Sequence, residues 1–432
     1  MVITSKNALN IIIFLILLAI FISAFSNSYT SHNLTNLAYV LALGVDVGEN
    51  ADIKLTAQFT RSDSFSPNSG SSDESNNLIL VSGEADSIYG CLNLLNSYMG
   101  KEINLAHCGA VIFSEEYAKN GISSEIYSLL NTEEFRPTTN LIISTCHAYD
   151  YLSNLKPNLE KITTNYYATF SITNKFTGYF SDSTVGEFFN TLSVDSCDGT
   201  ATLGGLNDTA RNKQESSSGS DDPSEYISSE KNENIITNPD NLTAGSSSIQ
   251  GKRGTENIGV AVFDNDKLCG ELTATETICH LLIKNNVGSF IISIDNPYDK
   301  NKKEKVELNI VPSKKSKFTV DIDNNVPNIY LDVNVQASIL TLEENIEYEK
   351  TSTLDKFSTA TEDYLKEELN NYFNKISKEL NTDIDCFSNK ALSHFNTKNE
   401  WENYNWKEKF PTANFHLNVK ANVVSGQMIT KT

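Results

Sequence analysis

The sequence predicts a chain of mixed α/β and α+β class. A signal peptide or membrane anchor precedes two folded regions, each of α/β type with a mixed, largely antiparallel sheet, and a flexible linker joins them. Three observations carry this expectation. The chain opens with an unbroken apolar run, Ile11 to Ile22. Segments with a two-residue hydrophobic period alternate with segments of helical period on both sides of the middle. Between them, residues 205–255 hold ten serines and five glycines but only six Ile or Leu. Such a stretch buries too little apolar surface to offset its ordering entropy. The expected boundaries are therefore 1–26, 27–204, 205–255 and 256–432.

Lys6 before the apolar run and Ser23-Ala24-Phe25-Ser26 after it fit a secretory signal cleaved before Asn27. Counted from Ala8 to Phe25, the same stretch reaches the short end of a spanning helix, with Ile11, Phe14, Leu17, Ile20 and Phe21 in the bilayer. Both readings place everything after Asn27 on the outer side of a membrane.

In the first region, Leu37–Val47 reads as a buried strand, and Ile53, Leu55, Ala57 and Phe59 alternate as a half-buried one. Residues 61–77, with seven serines, read as a loop. A strand at 78–81, a helix at 84–99 and a strand at 108–113 follow. Residues 115–130 read as helix broken at Gly121, 141–146 as strand, and the rest to Val194 as helix, with Phe188, Phe189 and Leu192 on one face. In the second region, Ile258, Val260 and Val262 alternate before a helix at 275–283. Four short strands, 289–294, 306–311, 318–322 and 329–335, suggest an antiparallel meander. Leu365, Leu369, Phe373, Ile376 and Leu380 recur on one face of a long helix over 354–380. A strand at 415–423 closes the region.

Composition narrows the function classes. With 34 basic against 55 acidic side chains the formal charge is −21, which argues against a nucleic-acid surface. The seven cysteines are odd in number and scattered, unlike a disulfide scaffold, and most read as small buried hydrophobes. Three His–Cys neighbours, His107-Cys108, Cys146-His147 and Cys279-His280, lack the spacing of a zinc site, so no metal or other cofactor is expected. The sequence holds no nucleophile elbow and no phosphate-binding loop, and no set of catalytic residues can be nominated. Lysines 300, 302, 303, 305, 314, 315 and 317 concentrate positive charge. As turns at opposite ends of a meander they read as solvated edge protection rather than one patch. Trp401, Tyr404 and Trp406 read as a packing cluster against the long helix.

Taken in order, several short motifs resemble the Ger(x)C family, the C subunits of germinant receptors in endospore-forming bacteria. Leu37-Ala38 through Gly44-Val45-Asp46 resembles the family's opening strand, and Gly83-Glu84 followed by Ala106-His107-Cys108 its next stretch. Phe135-Arg136-Pro137 before Leu141–Ser144 fits the following strand. Gly259 to Phe263 with Lys267-Leu268 and Gly270 is similar to the family's "GLAVFKGDKLVG". Asp383-Ile384-Asp385, Trp401, Trp406 to Pro411 and Gly426 keep the family's order near the end. One departure concerns the anchor: Ser28 stands near the position of the family's lipidated cysteine, and a serine cannot accept a thioether-linked lipid. The resemblance implies a non-catalytic, membrane-associated subunit acting with a multi-spanning A-type and a transporter-like B-type subunit. Its place would be the outer face of the spore inner membrane. The alternative, from acidity and a two-part architecture, is a secreted or surface-attached solute-binding or adhesion protein.

Overall fold

The computed structural model describes residues 13–18, 21, 36–60, 78–155, 163–193, 197–208, 210, 241–251, 253–299, 304–341 and 350–424. Its first sheet has nine strands. The apolar run of β1 (Leu37–Val47) is buried almost throughout, as expected of a strand covered on both faces. It pairs antiparallel with β2 (Ile53–Thr60), which pairs with the edge strand β3 (Leu78–Ala85). On its other side β1 lies parallel to the short β4 (Glu102–Asn104) and to β5 (Ala110–Ser114). The parallel series continues through β6 (Asn140–Ser144) and β7 (Thr200–Leu206). Antiparallel β8 (Thr255–Asp264) and β9 (Lys267–Leu272) complete it.

Helices cover both faces. Helices α1 (Ile88–Met99), α2 (Glu115–Ala118), α3 (Ser123–Leu130) and α7 (Val185–Leu192) bury their apolar sides in one core. The second face takes α4 (Ala148–Asn154), α5 (Thr163–Ala168) and α6 (Phe170–Thr177). Local signals set the ends. Ser87 accepts a hydrogen bond from the Gly90 amide to start α1, and Gly100, at φ 64°, stops it. The sequence expected this helix from residue 84, but Glu84 and Ala85 stay in β3 because they pair with Lys54 and Ile53. The break expected at Gly121 separates α2 from α3, with φ 111°.

The second sheet has the order β10 (Phe290–Asp295), β11 (Lys305–Asp323), β12 (Val326–Ile339), β13 (Asn414–Val424). Helix α8 (Ala274–Lys284), opened by a Thr273–Glu276 capping box, precedes it. Helix α9 (Thr351–Asn374) runs on into a π turn, Lys375–Glu379. Leu365, Leu369, Phe373 and Ile376 are buried in one core with Ile329, Leu331, Val333 and Val335 of β12. Three short helices follow, α10 (Ser388–Ala391), α11 (Lys398–Tyr404) and α12 (Trp406–Lys409).

Some expectations need correction. The strands expected at 306–311 and 318–322 are one strand of 19 residues, β11. Lys314, Lys315 and Lys317 therefore sit in mid-strand, where the register against β12 shifts twice. Pro312 has no amide proton to give a ladder, and a bulge accommodates it without ending the strand. The tight turn is at Asn324-Asn325, both at positive φ, as a two-residue hairpin requires. The merger leaves three antiparallel strands in the meander, β10, β11 and β12, and β13 lies parallel to β12.

The ends of the expected linker are folded. Gly205 and Leu206 close β7 and pair with Glu256 and Thr255 of β8. Ala244, Ser246 and Ser247 are buried, and the Glu256 carboxylate accepts from the Gly245 and Ser247 amides at 2.7 and 3.2 Å. Backbone amides, rather than apolar side chains, hold this segment, and composition does not register them. Residues 211–240 lie outside the described residues, as does the loop expected at 61–77. Consequently β8 and β9, assigned by sequence to the second region, extend the first sheet. Of the cysteines, Cys197 and Cys386 form a disulfide, whereas Cys91, Cys108 and Cys279 are free and buried.

Of the expected signal or anchor, residues 13–18 and 21 are helical, and Phe14, Leu17 and Phe21 are exposed; Ile11 and Ile20 lie outside the described residues. No helix among the described residues is long and apolar enough to cross a membrane.

Candidate functional site

A dense polar network lies at the junction where the end of α9 meets the β8–β9 hairpin. The π turn widens the end of α9, and the chain then turns back through residues 380–388, with Asn381 and Cys386 at positive φ. In this loop the alternating acids of Asp383-Ile384-Asp385 are both buried. Asp385 accepts from Tyr372 Oη at 2.6 Å and meets His280 Nδ1 at 2.8 Å. His280 comes from α8 and Tyr372 from α9, so this carboxylate ties two helices to the loop. Burial pushes the Tyr372 hydroxyl well above its ordinary range, and the Asp385 carboxylate adds to it.

Asp383 does the same work one residue-pair earlier. Its carboxylate accepts from the Phe387 and Ser388 amides at 2.9 and 2.8 Å and from Trp406 Nε1 at 3.0 Å. Burial pushes this carboxyl up to about 7 against the pull of those donors, with neighbouring Asp385 adding to the rise. Its main-chain amide donates to Asp198 Oδ2 at 2.8 Å, and its carbonyl accepts from the Asp198 amide at 3.2 Å. Lys407 completes the junction, with Nζ 2.6 Å from Asp264 Oδ1 and 3.4 Å from Asp198 Oδ1. Burial alone would lower the Lys407 ammonium, but these two carboxylates outweigh it and hold it above its usual value. The Cys197–Cys386 disulfide, with Cα atoms 4.9 Å apart, lies beside this network. Gly270 of β9 leaves room for Leu380, whose Cδ2 a Cβ would approach to 2.6 Å.

The motif residues named from sequence do not gather in one place. Asp385, Gly270, Trp401 and Trp406 belong to the junction, with Trp401 and Trp406 stacked at 5.9 Å. Gly259, nearby in β8, has φ 97°, and its amide donates to the Tyr179 carbonyl at 2.6 Å. Asp46 instead supplies, from the end of β1, the acceptor for the first amides of α4. Its carboxylate takes Ala148 N at 2.7 Å and Tyr149 N at 3.1 Å. Gly44 lets α4 approach, since a Cβ there would lie 2.9 Å from Leu152. Gly83 faces Leu94 and Leu95 of α1. His107 is exposed, edge-on to Tyr39 at 4.9 Å, and Arg136 is exposed. Gly426 lies outside the described residues, and Ser28 does as well.

Sequence reading missed Asp198, His280, Tyr372, Lys407 and the cysteine pair as members of one site. The available signal was a Cys adjacent to an Asp on both sides, Cys197-Asp198 and Asp385-Cys386, 189 residues apart. Among the described residues no group of three or more His, Cys, Asp or Glu is arranged to hold a metal. A His–carboxylate pair is the raw material of proton transfer, yet His280 is 2% exposed and its partner carboxylate is buried with it. The His280–Asp385 pair ties α8 and α9 to the loop 380–388, while Lys407 and Asp264 at the rim of the junction stay partly exposed.

Comparison with known proteins agrees with this architecture. Residues 30–206 match the family model described as the spore germination protein N-terminal domain. Residues 258–426 match the one described as spore germination B3/GerAC like, C-terminal. No curated protein matches the chain. Among solved structures it is similar to the crystal structure of the GerBC protein, with TM-score 0.51 and 16% identity over 88% of this chain and 96% of that one. That likeness shows the fold, a two-sheet α+β architecture. With both domain models matched in order across most of its length, the chain belongs to the Ger(x)C family of spore germination proteins.

Proposed function

We propose that this chain is a non-catalytic, membrane-tethered subunit of a nutrient germinant receptor. It would act through contacts with a multi-spanning A-type and a transporter-like B-type partner on the outer face of the spore inner membrane. The observation that carries the reading is the presence of both family domains in order, at residues 30–206 and 258–426. The buried part of the junction supports a structural role, because its ionisable groups hold the loop 380–388 against α8, α9 and Asp198 just before β7. With Ser28 in place of a lipidated cysteine, the apolar stretch Ile11–Phe25 supplies the tether in this reading.

Deletion of the gene tests it. Spores should form normally and fail to germinate on particular nutrients, with germination restored by the intact copy. Unimpaired germination across a broad nutrient panel, in a strain without a related gene, would sink the proposal. The tether is read separately by membrane fractionation with N-terminal mass analysis. A product beginning near Asn27 and free in the soluble fraction contradicts it.

A further inference from the structure

The two register shifts in β11, between Pro312 and Lys314 and between Lys314 and Lys317, have a consequence for surface charge. Each adds a residue to β11 against β12 and turns its side-chain alternation over. As a result Lys314 stands opposite Asn334, and Lys317 opposite Asp332. On the far side of β12, Asn334 pairs with Lys420 and Asp332 with Asn418. Leu331, Val333 and Val335 take the buried face of β12. Asp332 and Asn334 therefore belong to the open face, and directly paired residues share a face. Lys314, Lys317 and Lys420 thus occupy two adjacent rows of one solvent-facing surface, with Lys315 exposed between them.

Among the described residues, ion pairs engage Lys119, Lys305, Lys375, Lys398 and Lys407. None engages these four. The acid in those two rows, Asp332, accepts from Asn418 Nδ2 at 2.7 Å. Four lysines against one aspartate make a formal +3 patch in a chain of −21. Lys314–Lys317 is thus part of a strand rather than the turn expected from sequence, while Lys300, Lys302 and Lys303 lie outside the described residues. The neighbouring positions of β12 and β13, Gln336, Asn418 and Asn422, are exposed neutral amides. The surface is a sheet face rather than a concavity, so it suits an extended anionic surface better than a small ligand.

We infer that this open face of the second sheet docks on acidic phospholipid headgroups through Lys314, Lys315, Lys317 and Lys420. The inference rests on the tethered-subunit reading for bringing the face near a bilayer. Each lysine at an anionic surface contributes about fivefold to the partition, and the contribution falls off within a Debye length.

The full chain, reconstituted into vesicles of phosphatidylcholine alone or with about one-third phosphatidylglycerol, provides the test. Amine acetylation of each lysine is followed by mass spectrometry. The four lysines should react about fivefold or more slowly on the charged vesicles, while exposed Lys101 of the first region reacts equally on both. The variant K314E/K315E/K317E should lose the protection at Lys420. Equal acetylation on the two vesicle types overturns the inference, and so does protection by an acidic protein in place of the charged lipid. Co-flotation with neutral vesicles reads the tether independently. A chain that floats with both vesicle types without protection keeps the tether and refutes the docking face. A chain retained only by charged vesicles, and released by the triple variant, does the reverse.

Discussion

Reduction of the Cys197–Cys386 bridge is a perturbation of large expected effect. The bond closes a loop of 189 residues. In the chain-entropy description such a loop withholds about 18 cal/mol/K from the unfolded state, about 5 kcal/mol at room temperature, while measured bridges deliver about 2–4. A loss of about 3 kcal/mol is therefore expected for C197S/C386S and for the reduced wild type alike. Both tryptophans, Trp401 and Trp406, lie at the junction beside the bridge. Urea unfolding followed by tryptophan emission, with and without dithiothreitol, reads this region directly. The wild-type midpoint should fall on reduction to that of the double serine variant, and the variant should ignore the reductant. Intact-mass analysis must find the wild-type protein two hydrogens lighter than its reduced form. An unchanged midpoint, or two free thiols in the untreated protein, would refute the reasoning.

Three further outcomes follow from the geometry. Removing one partner of the buried His280–Asp385 pair by H280A leaves Asp385 with the Tyr372 hydroxyl as its remaining side-chain partner and should cost about 1–3 kcal/mol; a thermal melt unchanged from wild type contradicts the assignment. Gly259→Ala should destabilise by more than Gly270→Ala. At 259 the φ is 97° and a Cβ meets the Leu272 carbonyl at 2.4 Å, whereas at 270 it meets the end of a flexible leucine; equal costs would show that neither constraint operates. Asp383, raised to about 7 from an ordinary value near 3.8, binds its proton in the folded state after the unfolded chain has lost it. Its contribution is full below about pH 4 and is lost as pH rises through 7. The stability difference between wild type and D383N should shrink over that range, and a flat difference would reject the raised value.

Much of the fold is legible locally. The apolar run of β1, the alternation of β2 and the stripe Leu365–Leu369–Phe373–Ile376 each announce an element, because burying one face imposes a period on the side chains themselves. Glycines also carried information. Gly44 and Gly270 recurred as motif letters, and both turn out to be places where another element's side chain occupies the space of a Cβ.

What failed did so for a common reason. Lys314–Lys317 reads as a turn because a basic, proline-flanked stretch is polar, yet β12 continues opposite it and keeps it a bulged strand. The ends of the 205–255 segment read as linker because composition counts apolar side chains, while Glu256 holds backbone amides.

By itself the sequence determined the class of most segments, the acidic character of the chain and, through motif order, its family. Only the tertiary structure decided that the first sheet runs on through β8 and β9. It alone brought Asp198 to Asp383, His280 to Asp385, and Cys197 to Cys386. Those contacts join residues about a hundred or more positions apart, and their partners leave no periodic trace along the chain. Periodicity records which face of an element is buried, while the identity of what buries it is set by the closure of the whole fold.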